Sequence, residues 1–226
     1  MKQETIPDST AVRVALWRGS HARGGGGAHI PEDEIGLRRW APAERGRNRP
    51  DMHPEGTAPF RASIVGRARF IEDFVADQVK DGIGQYVMLG SGLDTFAQRR
   101  PEVASTFQVF EVEKPETLAW KKKRLAEEGF QIPSWLHFTP MNFESDVSLW
   151  EQLQKEGFDK TKPAIVTSIG VSMYLTREAI KETLTTMKGL APGSKFIMTF
   201  MLPLELVDEK DRPGYQMSLS GAQRSG

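Results

Sequence analysis

The chain has 226 residues, and its thirty Lys and Arg balance thirty Asp and Glu, so net charge gives no field for nucleic acid or an anionic membrane. It has no cysteine, which excludes disulfides and thiolate metal sites, and no apolar run approaches the roughly 18 residues of a membrane span. The segment 1–8 lacks the charged-then-apolar order of a signal peptide, and length and composition together are those expected of a cytoplasmic enzyme that buries a substantial core.

The first sixty residues read apart from the rest. Residues 11–17 predict a short helix. The four glycines at 24–27 carry a high ordering entropy and read as a loop, and the Arg- and Pro-rich stretch 45–54 reads as irregular. His21, His29 and His53 have no partners at metal-ligand spacing, so no metal is expected. From Ile64 the pattern becomes regular: Ile64, Ala68, Ile71, Val75 and Val79 mark one face of a helix that ends at Asp81-Gly82. A strand is predicted at 85–89, a helix around 97–99 and a second strand at 107–113. A helical segment follows at 115–128, whose basic run Lys121-Lys122-Lys123-Arg124 reads as a solvated face. A short strand at 136–139, an amphipathic helix at 147–156, a strand at 164–169, a helix at 177–190 and a strand at 194–202 complete the pattern. Residues 203–226 are polar and turn-rich, with a short helix expected at 204–212. Strands alternating with helices make this an α/β chain with a parallel sheet covered on both faces.

The most specific signal is the junction Leu89-Gly90-Ser91-Gly92-Leu93-Asp94-Thr95, with Glu113 ending the next strand about twenty residues later. Glycines let a backbone approach a ligand closely, and a carboxylate on the neighbouring strand accepts hydrogen bonds from a ribose diol. A dinucleotide fingerprint needs a third glycine, which is missing here, and Asp94 at a helix start repels a diphosphate. S-adenosylmethionine, with a ribose, a sulfonium and an ammonium but no phosphate, fits better. The plainer alternative is an ordinary glycine turn beside a strand that happens to end in an acid.

These segments together resemble the leucine carboxyl methyltransferase family. The family reads LGAGLDT and then FEVD-x-P, where this chain has Leu89 to Thr95 and Phe110-Glu111-Val112-Glu113-Lys114-Pro115. Asn142-Phe143 stands in the place of the family's Asp-Leu pair, and Gly170-Val171-Ser172-Met173-Tyr174-Leu175 is similar to its G-x-x-MYL segment. Arg67-Ala68-Arg69-Phe70-Ile71-Glu72-Asp73-Phe74 is similar to its Arg-containing helix. The resemblance implies a Rossmann-like methyltransferase sheet with helices on both faces and S-adenosyl-L-methionine as cofactor. It gives Gly90 and Gly92 to the methionine part and Glu113, for the family's Asp, to the ribose. Asn142 falls to the adenine amino edge and Phe143 to an apolar wall. Arg67 falls to the cofactor carboxylate, with Arg61 as a substitute, while Asp94 either organises the loop or meets the ammonium.

The same resemblance implies an N-terminal cap over 1–60 and a methyltransferase domain over 61–226 without the final strands of its class, leaving strand five as an edge. Just before Gly170, where the family often carries an acid, this chain has Ile169. No catalytic residue is assigned, and Tyr174 is a candidate only for lining an acceptor pocket. With no convincing His base, O-methylation of a carboxylate or another acidic oxygen is expected, on a small molecule or a protein carboxylate. Two rival readings are a non-catalytic truncated relative and a nucleotide-dependent oxidoreductase. Oligomeric state is not legible.

Overall fold

The computed structural model describes residues 9–21, 33, 35–36, 58–145 and 147–223. The expected loop at 24–27, the irregular stretch at 45–54 and His29 and His53 lie outside the described residues. Helices α1 (Ser9–His21) and α2 (Ala58–Lys80) precede the first strand, β1 (Gln85–Leu89). Short helices α3 (Phe96–Arg99) and α4 (Pro101–Ala104) lead to β2 (Gln108–Glu113), then α5 (Pro115–Glu127) to β3 (Leu136–Pro140) and α6 (Leu149–Lys155) to β4 (Ile165–Ser168). A 3-10 turn (Ser172–Tyr174) and α7 (Arg177–Met187) lead to β5 (Lys195–Met198). A second 3-10 turn (Leu204–Leu206) precedes α8 (Arg212–Gln223).

The five strands form one parallel sheet in the order β3-β2-β1-β4-β5, with Val87 level with Phe110 on one side and Val166 on the other. All five residues of β1 are buried, because both faces of the sheet are covered. The pleat sends alternate side chains to two cores. Tyr86 and Met88 join Ile71 and Val75 of α2, Phe96 of α3 and Leu118 and Leu125 of α5. Val87 and Leu89 join Phe110, Val112, Leu149 and Leu153 of α6 and Met187 of α7. Full burial of each such side chain contributes about 1.5–3 kcal/mol. The chain moves outward from β1 with helices on one face and returns beyond it with helices on the other, as right-handed crossovers require. The order therefore reverses between β1 and β4, which opens a crevice at the carboxyl ends of these strands.

Local signals set several boundaries. Pro115 opens α5, Ser148 caps α6 by accepting from the Glu151 N–H, and Thr176 caps α7 by accepting from the Ala179 N–H at 3.2 Å. The strand expected at 194–202 stops at Met198. The Thr199 N–H makes the last bond to Ser168 O, while the Thr199 hydroxyl accepts from the Gly170 N–H at 2.7 Å and its carbonyl accepts from the Ser172 hydroxyl at 2.8 Å. These bonds turn the chain off the sheet toward the 3-10 turn. The short helix expected at 204–212 is one 3-10 turn, and α8 follows where no helix was predicted. Pro213 falls in the first turn of α8, where it costs no helix bond, while Gly214, Ser218, Ser220 and Gly221 lower the intrinsic preference of the rest, so tertiary contacts hold it. The Tyr215 hydroxyl donates to Leu202 O at 2.7 Å, and Gly214 lies against the Phe60 ring.

The basic run on α5 is a correction. Lys122 and Lys123 are exposed, but Lys121 is fully buried, bonded to the buried Glu111 of β2 and donating to the Asp94 carbonyl at 2.6 Å. Its position on the helix face that carries Leu118 and Leu125 sends it inward, where a carboxylate awaits. Desolvation raises the Glu111 pKa against the Lys121 charge that lowers it. Lys121→Met leaves that carboxylate buried and unpaired, with an expected loss of ~3–5 kcal/mol in denaturant unfolding. Glu111→Leu combined with Lys121→Met is expected to recover most of that loss.

Candidate functional site

At the end of β1 the chain turns over β2. The Gly90 and Ser91 N–H groups both donate to Val112 O, at 2.8 and 3.2 Å. Gly90 has φ +69° and Gly92 φ +54°, the left-handed region that glycine occupies without strain. A Cβ built on Gly90 would lie 2.4 Å from the Val171 side chain, so the turn has no room for any other residue.

Glu113, at the end of β2, spans the same turn. One carboxylate oxygen accepts from the Gly92 N–H at 2.8 Å and the other from the Lys114 N–H at 2.8 Å. Each oxygen retains a further lone pair for a ligand hydroxyl. The Glu113 carbonyl accepts from the Met141 N–H, which brings the end of β3 alongside. There Asn142 closes an Asx-type turn, its side-chain oxygen accepting from the Glu144 N–H at 3.1 Å, and the half-buried Phe143 packs on the second core.

Both Asp94 carboxylate oxygens are bonded to protein. One oxygen accepts from the Phe96 N–H at 2.7 Å and the other from Arg18 Nη1 at 2.6 Å. Burial opposes its ionisation, but the Arg18, Arg99 and Lys121 cations outweigh burial and hold the carboxyl well below the usual carboxylate range. Asp94 thus ties the loop to α1 and to the start of α3.

Across the crevice, Arg67 of α2 lies against Gly170. A Cβ there would sit 2.8 Å from Arg67 Nη2, and Gly170 has φ +72°. Arg67 forms no ion pair among the described residues. Desolvation lowers its pKa, the nearby Tyr174 raises it and the Arg18 cation lowers it further. A guanidinium remains charged under these influences.

A cavity of about 1260 Å³ occupies this edge of the sheet, lined by all seven predicted residues: Arg67, Gly90, Gly92, Asp94, Glu113, Asn142 and Phe143. Arg61 is not among its lining residues. An N-terminal cap was expected from the resemblance, but sequence reasoning named no residue of α1 for the site and did not foresee α8; Arg18 and Trp17 from the first and Tyr215 from the second line the cavity. Trp17 stacks on Phe60 with ring centroids 6.4 Å apart. Among the described residues, no group of His, Asp or Glu is placed to hold a metal, and no helix is long and apolar enough to cross a membrane.

The geometry of the turn generates a paired expectation. Gly90→Ala meets both a left-handed backbone, costing about 1–2 kcal/mol, and the Val171 side chain, so the melting temperature falls and ligand affinity with it. Gly66→Ala on α2, where a Cβ meets nothing within 4 Å, is expected to be neutral or to stabilise by about 0.5–1 kcal/mol. Thermal melts of the two variants check both.

Comparison with known proteins adds to this geometry. The chain is 37% identical over 161 residues to the Bacillus subtilis (strain 168) protein YktD, whose name assigns it by inference to the S-adenosyl-L-methionine-dependent methyltransferases. That match covers 70% of this chain and 52% of YktD. A similarly named protein of Mycobacterium avium (strain 104) is 35% identical over 137 residues, covering 60% of this chain and 45% of its own. The chain thus spans about half the length of the relatives it matches. Among solved structures, a DUF574 family protein from Streptomyces avermitilis superposes with a TM-score of 0.62 at 17% identity, covering 98% of this chain and 78% of its own. A protein from Thermobifida fusca, described by inference as a methyltransferase, superposes at 0.59 with 18% identity, covering 96% and 73%. Both likenesses show the fold. The model of leucine carboxyl methyltransferases matches residues 11–188, which take in the glycine turn, Glu113, Asn142 and the Arg67 helix, and the chain belongs to that family.

Proposed function

We propose that this chain binds S-adenosyl-L-methionine in the crevice between β1, β2 and β4 and serves methyl transfer to an acidic oxygen, a carboxylate first. The observation that carries the reading is the pair of opposite charges across one cavity. Glu113 stands on the β2 side with lone pairs to spare, and Arg67 stands on the β4 side without an ion-pair partner among the described residues. A ligand with a ribose diol at one end and a carboxylate at the other matches both.

The cradle fits this cofactor. Gly90 and Gly92 present backbone without side chains, Asn142 offers an amide beside the half-buried Phe143, and Asp94 disfavours a diphosphate at the same turn. When bound, the cofactor supplies a methyl group already activated on a sulfonium. The protein then has to orient the acceptor and keep water out, which an apolar wall does well. Ile169, in place of the acid common in the family, makes the wall at the mouth of β4 apolar, and the stacked Trp17 and Phe60 extend it. No His lines the cavity among the described residues, and a carboxylate acceptor needs no general base, which favours that acceptor over an alcohol. Both a small carboxylic acid and a protein carboxylate are compatible with these walls.

Calorimetric titration with S-adenosylhomocysteine is expected to show saturable binding, with none for NADH. Glu113→Ala is expected to weaken binding by ~1–3 kcal/mol, the scale of hydrogen bonds to a charged group, and Arg67→Met by a similar amount. A folded chain that binds neither compound overturns the reading for this chain. With cofactor supplied, mass spectrometry of carboxylic-acid acceptors should reveal a base-labile methyl ester; methylation of amines alone would overturn the acceptor assignment.

A further inference from the structure

Arg18 has a place in this site that its position on an N-terminal helix does not foretell. Its three guanidinium nitrogens each meet a carboxylate from a different segment: Nη1 meets Asp94 at 2.6 Å, Nε meets Asp33 at 3.2 Å and Nη2 meets Glu72 at 3.6 Å. Asp33 and Glu72 are themselves buried. Arg99 closes the set from α3, bonding Glu72, approaching Asp33 at 3.7 Å and donating to the Thr95 hydroxyl at 2.8 Å. Two cations and three carboxylates thus tie α1, residue 33, α2 and the start of α3 into one buried cluster.

Packing alone does not require these charges. Ala15, Leu16 and Trp17 already bury α1. A charge network in such a place costs desolvation and is better suited to fixing one arrangement than to adding stability. What it fixes is the cofactor turn. The Asp94 oxygen not held by Arg18 sets the first N–H of α3, and the Asp94 N–H donates to Ser91 O at 3.0 Å, inside the Gly90–Gly92 turn. Helix α1 reaches over that turn, since Ala11 Cβ lies 3.7 Å from a Cβ position on Gly92. Arg18, Glu72 and Asp94 all line the cavity.

We propose that Arg18 is a positioning residue for the cofactor: through Asp94 it couples the docking of α1 to the shape of the Gly90–Gly92 turn, so that cofactor binding and α1 docking favour each other. Coupling of this kind is reciprocal. Removing the guanidinium weakens the ligand, and adding the ligand steadies α1. The inference rests on the cofactor reading of the same cavity.

The test combines S-adenosylhomocysteine titration with amide hydrogen exchange over residues 9–21 and 90–96, on the full chain and on Arg18→Gln, Arg18→Lys, Asp94→Asn and the Arg18→Gln/Asp94→Asn double variant. In the unaltered chain the ligand is expected to slow exchange in both segments. Arg18→Gln is expected to bind about 10- to 100-fold more weakly and to lose the ligand-induced slowing in 9–21 while keeping it in 90–96. Arg18→Lys, a point charge that cannot serve three carboxylates together, should recover only part of the affinity and carries the same test should Arg18→Gln fail to fold. The double variant should bind about as weakly as the weaker single variant, because both changes break one link. Unchanged affinity in the folded Arg18 variants, or a ligand that leaves 9–21 unaffected in the unaltered chain, overturns the coupling alone. An unaltered chain that binds no S-adenosylhomocysteine overturns the cofactor reading and the coupling with it.

Discussion

The carboxyl edge of this sheet depends on the path of the backbone as it leaves β1. It must reverse through left-handed conformations while its N–H and C=O groups keep partners. Val112 O takes two N–H groups, Glu113 takes the Gly92 N–H and Lys121 donates to the Asp94 carbonyl. All of these partners come from β2 and α5, beneath the turn. Its other side faces the cavity beneath α1 and the loop at Val171, so the cavity can lie there because the turn is satisfied from below. Substituting Gly90 would disturb both the backbone and the loop at Val171 that forms the opposite lip.

Buried charge gives the site its second layer of order. An ion taken into the interior is tolerated only when partners meet it there, and in this molecule those partners arrive from other elements of the fold. Glu111 of β2 meets Lys121 of α5, and Asp94 meets Arg18 of α1. Helix and sheet are therefore held in a definite relation at the points where the turn is anchored. Arg67 differs: it has given up much of its hydration without gaining an ion pair among the described residues, a condition that suits a ligand carboxylate.

The far end of the sheet is organised more loosely. Among the described residues the short strand β5 pairs with β4 and no other strand, and the large side chains of Phe200, Leu206 and Met217 beyond it are exposed. Thr199 diverts the chain from the edge, and α8 then folds back toward Phe60 to supply part of the cavity wall. Beside the Tyr215 hydroxyl bond and the Gly214 contact, Arg212 donates to Val207 O at 2.9 Å and Ala222 is buried, which together hold α8 in this wall.

Residues close in sequence to a strand end carried most of what could be read in advance. The apolar run of β1, the glycine pair and the acid closing β2, within strands that alternate with helices, announce a parallel sheet with a ligand turn, because strand runs, turn chemistry and strand ends act over a few residues. Arg67, Asn142 and Phe143 became legible through the resemblance to known methyltransferases, since nothing local marks a helix arginine or a loop amide as facing a crevice. Lys121 looked like one of four solvated cations until its helix face met Glu111. Arg18 carried no signal, for its three carboxylates lie at positions 33, 72 and 94. By itself, then, the sequence determined the alternation of elements, the sheet they form and the turn at which a ligand can approach. Only the tertiary structure decided which charges are buried, which partner each one meets and how α1 and α8 close the cavity. Such pairings depend on distances between segments far apart in the chain, and no local pattern encodes them.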